Sequence, residues 1–95
     1  MDLGRPINPG IDQGQVLGAF IQGMGWVTGE QLYFSDKGQL LSHSPTTYKI
    51  PNIQDTPRNF TIQFIENNNN HQAVHRSKAV GEPPFLLGIS VFMAV

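Results

Sequence analysis

The sequence predicts an α+β fold, on the evidence of a helical pattern, a hairpin signal and an alternating strand pattern. Apolar residues recur at helical spacing along one face near the N-terminus, at Leu17, Phe20, Ile21 and Met24. Residues 60–65 instead alternate between apolar and polar, which is typical of a half-buried strand. The order helix, hairpin, strand, helix then predicts a single small α+β unit.

The first helix is expected to begin at Asp12, whose side chain can act as the N-cap. Gln15 follows three residues later, so the two could form a capping box. Gly14 and Gly18 lie four residues apart on another face. Because a glycine costs about 1 kcal/mol relative to alanine in a helix, this pair indicates that something approaches the backbone closely. Residues 26–32 could continue the helix.

The middle of the chain predicts a hairpin and two strands. Two short apolar runs within residues 32–41 flank the turn residues 35–38, which is a hairpin pattern. Residues 42–57 are predicted to form a loop, and residues 73–77 a short strand after residues 60–65. The first ten residues contain two prolines and two glycines and predict an extended lead-in.

The C-terminal region predicts a buried helix. Pro83 and Pro84 suit a first helical turn, where a missing N–H costs little. Residues 85–95 carry too many apolar side chains for one face, so we expect other protein to cover this helix. The sequence stops inside the apolar stretch without a stop signal. We therefore expect a truncated C-terminal helix, and residues 1–95 to be a fragment of a larger domain.

Composition excludes several classes of function. Six Lys plus Arg balance seven Asp plus Glu, for a formal net charge of −1, which argues against a dedicated nucleic-acid binder. The absence of cysteine excludes disulfides, iron–sulfur ligation and a thiol nucleophile. No apolar leader is present, and the longest apolar stretch is too short to cross a bilayer. We expect a cytoplasmic protein that does not bind membranes.

Glu82 is the strongest candidate for chemistry. It lies between Gly81 and two prolines, which favours an extended backbone just before a helix. A carboxylate on a rigid turn of this kind is suited to act as a general base. An ordinary N-cap or first-turn glutamate, which complements the helix dipole, explains the same local pattern. His71 and His75 have a zinc-like spacing but no third ligand, so we predict no metal-ligating side chains.

Four segments, taken together, resemble the xanthine dehydrogenase family. The match runs nearly end to end with consistent spacing. It is carried by Arg5, by Ile-Asn-Pro-Gly-Ile-Asp-Gln-Gly-Gln-Val at 7–16, by Gly-Ala-Phe-Ile-Gln-Gly-Met-Gly at 18–25, by Ser-Pro-Thr-Thr-Tyr-Lys-Ile-Pro at 44–51, and by Arg-Ser-Lys-Ala-Val-Gly-Glu-Pro-Pro-Phe at 76–85. Leu17 departs from the pattern, since the family often has a glutamate there.

The resemblance implies a role for each candidate residue. Gln15 would be the glutamine that hydrogen-bonds the molybdenum cofactor (molybdopterin). Lys78 and Gly81 would belong to a second loop that contacts the cofactor, and Glu82 would be the general base. The C-terminal part of the molybdopterin-binding large subunit or domain is the region that resembles this chain.

The implied reaction is the oxidation of xanthine or hypoxanthine to urate, with water as the oxygen source. The implied partners are the remainder of the xanthine dehydrogenase, with its iron–sulfur clusters and FAD, and a purine substrate. We expect the isolated fragment to be inactive and to self-associate. Two alternatives stay open: an aldehyde oxidase or other molybdenum hydroxylase, and a non-catalytic binding or structural module.

Overall fold

The computed structural model describes all residues from 1 to 95 and contains three α-helices. These are α1 (Pro9–Thr28), α2 (Pro83–Leu87) and α3 (Ile89–Ala94), and single 3₁₀ turns lie at Ile53–Asp55 and Val74–Arg76. Strand pairing is limited to three isolated bridges, which join Asp2 to Ile65, Gly4 to Ser77 and Phe34 to Leu40. The predicted α+β class is confirmed, with very little sheet.

Helix α1 begins earlier than the sequence analysis placed it. Asn8 is the N-cap, and its side chain accepts from the Ile11 N–H at 3.2 Å, with Pro9 in the first helical position. The Asp12 N–H already donates to the Asn8 carbonyl at 3.0 Å. The prediction of Asp12 as N-cap, and of a capping box with Gln15, is therefore wrong.

Helix α1 also ends before the predicted limit. Its last residue is Thr28, and the Gly29 N–H caps it by donating to the Gly25 carbonyl. The possible continuation to Leu32 is therefore wrong. Residues 30–32 instead lead into the hairpin.

The predicted hairpin is present as a narrow turn around one bridge. The Ser35 N–H donates to Gln39 at 2.9 Å, and the Leu41 N–H donates to Tyr33 at 2.7 Å. Gly38 has a φ of +76°, which a residue with a side chain rarely adopts. The hairpin region thus follows its turn chemistry, although it makes too few pairs to form a ladder.

The predicted strand at residues 60–65 keeps its alternation but pairs only at one end. Phe60, Ile62 and Phe64 are half-buried, while the residues between them are exposed. The Ile65 N–H donates to the Met1 carbonyl at 2.8 Å, beside the parallel Asp2–Ile65 bridge. The prediction of a strand at 60–65 is therefore wrong in extent, because only Ile65 pairs, and its partner lies at the other end of the chain.

The predicted strand at residues 73–77 is wrong. Val74–Arg76 is a 3₁₀ turn, and His75 and Arg76 have positive φ values of 52° and 60°. Only Ser77 pairs, in an antiparallel bridge to Gly4. The left-handed backbone turns the chain so that the following residues run beside the N-terminal segment.

The N-terminal segment is extended, as predicted, and it is also the best-buried part of the chain. Leu3 is only 1% exposed. Its carbonyl accepts from the Lys78 N–H at 2.9 Å, and the Arg5 N–H donates to the Arg76 carbonyl at 3.0 Å. Gly4 has a φ of +61°, and a Cβ there would lie 2.4 Å from the Arg76 carbonyl oxygen. Only glycine fits this close approach.

The predicted C-terminal helix is present but interrupted. Pro83 and Pro84 occupy its first turn, as expected, and Gly88 separates α2 from α3. At the crossing with α1, a Cβ on Gly23 would lie 2.0 Å from the Phe85 carbonyl oxygen, and a Cβ on Gly88 would lie 2.4 Å from the Gly23 carbonyl carbon. The helices therefore touch backbone to backbone. None of the three helices combines the length and hydropathy needed to span a bilayer.

The chain exposes far more surface than a compact protein of its mass. Its accessible area is 7512 Å², against about 5,400 Å² from the scaling of folded monomers. The radius of gyration is 17.1 Å, against about 12 Å for a compact domain of this length. Only 9 of 95 residues are buried, so most apolar side chains lack cover within the chain. The most exposed of them in α2, α3 and the hairpin are Leu32, Tyr33, Phe34, Leu86, Leu87, Phe92 and Met93.

We expect the 95-residue chain, produced alone, to self-associate. The exposed apolar side chains of the hairpin and of α3 exceed what a soluble monomer usually presents. Light scattering across a concentration series should show a mass that rises above 10.5 kDa. A constant monomer mass at high concentration would contradict this expectation.

We expect Gly23→Ala to destabilise the packing of α1 against α2. The added methyl group would meet backbone atoms, which cannot repack, so the cost should be about 1–3 kcal/mol. Gly14→Ala is the matched control, because no atom lies within 4 Å of its ideal Cβ, and the change should stabilise α1 by about 1 kcal/mol. Thermal melts followed by circular dichroism should move in opposite directions, and identical shifts would show that the crossing is not formed in solution.

Candidate functional site

An apolar cleft lies between α1, the extended residues 60–63 and α2. Its volume is about 570 Å³, and Val16, Phe20, Phe60, Pro83 and Leu87 are among its lining residues. The rings of Phe20 and Phe60 lie 5.1 Å apart in a tilted arrangement, which holds the extended segment against α1. The cleft is the place where the two helices that carry the predicted site residues meet.

Gln15 is exposed on α1, immediately before Val16. It does not lie at the helix N-terminus, as the sequence analysis assumed, because the helix begins at Pro9. Gly18 lies three residues further on the same side of the helix, and an ideal Cβ there meets no atom within 4 Å. Gln15 therefore lies on an open face of the helix, where a ligand can reach both its amide and the backbone.

Glu82 is the N-cap residue of α2 and is exposed. Its side chain makes no capping hydrogen bond, although its main-chain carbonyl accepts from the Phe85 N–H at 2.8 Å. That hydrogen bond closes the first turn. The prediction of an extended backbone at Glu82 is wrong, because its φ is −104° and its ψ is 20°. The capping interpretation is correct about position, but the bond by which a cap usually acts is absent.

Neither Gln15 nor Glu82 is among the residues that line the apolar cleft, although the residue after each one is, Val16 in α1 and Pro83 in α2. The helix that contains Gln15 packs closely against the helix that begins after Glu82. The fold therefore joins the two helices across 67 residues of sequence, and the shared site of Gln15 and Glu82 stays a prediction.

Lys78 and Gly81 occupy the segment that leads to Glu82. The Lys78 ammonium donates to Asp2 at 2.5 Å, and the two side chains are 39% and 30% exposed. Gly81 is exposed, and a Cβ there would make only ordinary contact, 3.7 Å from Pro83 Cδ. No atom of this chain requires glycine at position 81.

Asp2 is the residue near this segment that the sequence analysis missed. Its carboxylate accepts from the Lys78 ammonium, the Gly4 N–H and the Asn67 amide. The Lys78 hydrogen bond, followed by the bonds from Gly4 and Asn67, holds the pKa of Asp2 well below its usual range. Nothing in the local sequence indicates this carboxylate, because two of its partners lie more than 60 residues away.

A second polar contact ties the loop of residues 42–57 to the end of α1. The Tyr48 hydroxyl donates to Glu30, and this hydrogen bond to a carboxylate raises the pKa of Tyr48. A Cβ on Gly25 would lie 2.2 Å from Pro51 Cγ, so the loop also packs closely on the helix. No group of three or more His, Cys, Asp or Glu side chains is placed to hold a metal ion.

Comparison with known proteins identifies a family that this chain matches. The model of the molybdopterin cofactor-binding domain matches residues 1–57, which is more than half of the chain. The chain belongs to the molybdopterin cofactor-binding domain family. Gln15 and the open face of α1 lie within the matched part of this cofactor-binding domain, whereas Lys78, Gly81 and Glu82 lie beyond it.

Relatives of the cofactor-binding domain extend the likeness over the whole chain. Xanthine dehydrogenase 1 of Arabidopsis thaliana is 49% identical over 100% of this chain, and the xanthine dehydrogenase of Dictyostelium discoideum is 46% identical over 100%. A crystal structure of a copper- and molybdenum-containing CO dehydrogenase superposes with a TM-score of 0.73 at 27% identity, over 96% of this chain. The resemblance to xanthine dehydrogenases is confirmed.

The chain spans only a small share of these proteins. It covers 8% and 7% of the two xanthine dehydrogenases and 11% of the CO dehydrogenase chain. The large uncovered surface described above is what a piece of such a larger enzyme should present.

Proposed function

We propose that this chain is part of a molybdenum hydroxylase that oxidises xanthine and hypoxanthine to urate, with water as the oxygen source. Within that enzyme it would supply the general base, Glu82, and contacts to the molybdenum cofactor. The observation that carries the proposal is the exposed carboxylate of Glu82, which lies at the start of α2 and makes no capping bond. The similarity to xanthine dehydrogenases supports the substrate class.

The open face of α1 fits a bound pterin cofactor. Gln15 offers an amide that can both donate and accept hydrogen bonds. The absence of side chains at Gly14 and Gly18 leaves the helix backbone open to close approach. When bound, the cofactor supplies a Lewis-acidic metal centre that accepts two electrons. Gln15 would hold and orient it, and the loop before α2, which contains Lys78 and Gly81, would also contact it.

Glu82 would accept the proton that the reaction releases from the water-derived oxygen. Its carboxylate oxygens are free of a capping bond, so both are available to accept a proton. Its backbone is held at the start of α2, where two prolines and the Phe85 N–H fix the first turn. A base held in this way saves the entropy of bringing a proton acceptor into line.

The remainder of the enzyme would complete the site. This chain has no side chains that could ligate iron–sulfur clusters, since it contains no cysteine. We assign the clusters, FAD and the residues that grip the purine to other parts of the polypeptide, and we expect the isolated chain to be inactive. We also assign the enzyme to the cytoplasm, as the sequence analysis does.

A second molybdenum hydroxylase activity, such as that of an aldehyde oxidase, is the alternative. The superposition on a CO dehydrogenase favours keeping it, because it shows that this fold serves molybdenum enzymes beyond the xanthine dehydrogenases. A non-catalytic module would also keep the fold. It would not need a carboxylate free of capping bonds at the start of α2.

We expect Glu82→Gln, made in the complete enzyme, to lower turnover by about 10²–10⁴-fold, which is the usual contribution of a positioned base. The amide keeps the size of the side chain but cannot accept the proton. Turnover with xanthine and the molybdenum content should be measured on the same preparation, and the content should stay unchanged.

Glu66→Gln is the matched control, because Glu66 is also an exposed glutamate but lies outside α2 and outside the segment that carries Lys78 and Gly81. It should turn over at the normal rate. Near-normal turnover in Glu82→Gln would remove the role of general base from Glu82, and a loss of molybdenum would show that Glu82 serves cofactor binding instead.

We expect the complete enzyme to oxidise xanthine and hypoxanthine faster than aldehydes. Steady-state kcat/KM values for a panel of purines and aldehydes would measure this. A preference for aldehydes would replace the xanthine assignment with the alternative. Inactivity toward every compound, at full cofactor content, would favour the non-catalytic module.

A further inference from the structure

We infer that the ion pair between Asp2 and Lys78 is a clamp that sets the position of Glu82, and that the Lys78 ammonium serves this clamp and not the cofactor. The inference rests on the proposed role of Glu82 as general base. It assigns Asp2 and Lys78 as positioning residues, and leaves contact with the cofactor to the backbone of the loop.

The first support is the geometry at Asp2. Oδ1 accepts from the Gly4 N–H at 2.9 Å, while Oδ2 accepts from the Asn67 amide at 2.9 Å and from the Lys78 ammonium at 2.5 Å. One carboxylate thus joins the N-terminal segment, the loop near residue 67 and the segment before Glu82. An isolated exposed ion pair contributes little, but this one shares its carboxylate with two further hydrogen bonds.

The second support is the backbone pairing around the ion pair. The Lys78 N–H donates to the Leu3 carbonyl at 2.9 Å, and Ser77 forms a bridge with Gly4. Leu3 is the most deeply buried side chain of the protein. The segment that ends at Lys78 is therefore held against the most deeply buried residue of the chain, and its ammonium donates to Asp2.

The third support is the short distance along the chain from the clamp to the base. Only Ala79, Val80 and Gly81 separate Lys78 from Glu82. On the other side, α2 is fixed where Phe85 and Gly88 meet the backbone of α1. A chain advances by at most about 3.5 Å per residue, so Glu82 lies within about 14 Å of Lys78 and is held from both sides of this short connection.

The test is a double-mutant cycle in the complete enzyme, with Asp2→Asn, Lys78→Met and the two combined. We expect each single variant to lower kcat by about 10- to 100-fold, the scale expected for a reacting group displaced by 1 Å. Molybdenum content should not change, and the double variant should be no worse than the worse single one, because both remove the same interaction. Asp36→Asn is the control, since this exposed aspartate lies in the hairpin turn, and its kcat should stay normal.

Lys78→Arg, which keeps a cation able to donate to the Asp2 carboxylate, should retain more of the kcat than Lys78→Met does. Additive losses in the cycle would overturn the clamp. So would a loss of molybdenum in Lys78→Met alone, because that result would place the ammonium on the cofactor.

Hydrogen exchange of residues 76–82 in the complete enzyme separates this inference from the proposed function. Asp2→Asn should speed exchange in this segment, and Asp36→Asn should not. Unchanged exchange in Asp2→Asn would overturn the clamp whatever the activity of Glu82. Full turnover in Glu82→Gln, with faster exchange in Asp2→Asn, would overturn the proposed base and leave the clamp in place.

Discussion

The fold depends on the pairing of residues 1–5 with two segments from the far half of the chain. On one side this N-terminal segment meets residues 63–65, and on the other it meets residues 76–78. Leu3 lies at the centre of these contacts and is only 1% exposed. Because so few residues are buried, these hydrogen bonds fix much of the fold that a packed hydrophobic core would fix in a compact domain. They also bring the chain to the start of α2, where the candidate base lies.

The glycines fall into two groups: those that the fold of the chain itself requires and those that it does not. Gly4, Gly23 and Gly88 lie where a methyl group would collide with the chain's own backbone, so the fold itself requires them. Gly14 and Gly18 have open space around them and weaken α1 without any gain inside the chain. No contact within the chain accounts for a glycine at either position. In the proposed function this space is left for the cofactor.

Local pattern was sufficient for the elements that depend on local physics. Helical spacing predicted α1, and alternation predicted which residues of 60–65 turn inward. Local pattern failed where distant segments decide. The turn at Val74–Arg76 contains left-handed residues and leads into the pairing of Ser77 with Gly4. The spacing of apolar residues in the sequence does not reveal a left-handed backbone. The N-cap was misplaced for a different reason, because Asn8 followed by Pro9 is a recognisable start signal that the choice of Asp12 overlooked.

The candidate site was likewise predicted only in part from the local sequence. Local sequence placed Glu82 at a helix start but could not separate a base from a cap, and the resemblance supplied its role. The structure adds that its carboxylate is exposed and makes no capping bond. A general base works best where water is excluded and charges act strongly on one another. This chain, with most of its apolar surface uncovered, cannot provide that enclosure. It can provide the backbone that holds Gln15 and Glu82, and an enclosed site of the proposed kind would need further polypeptide to cover the apolar surface that this chain leaves exposed.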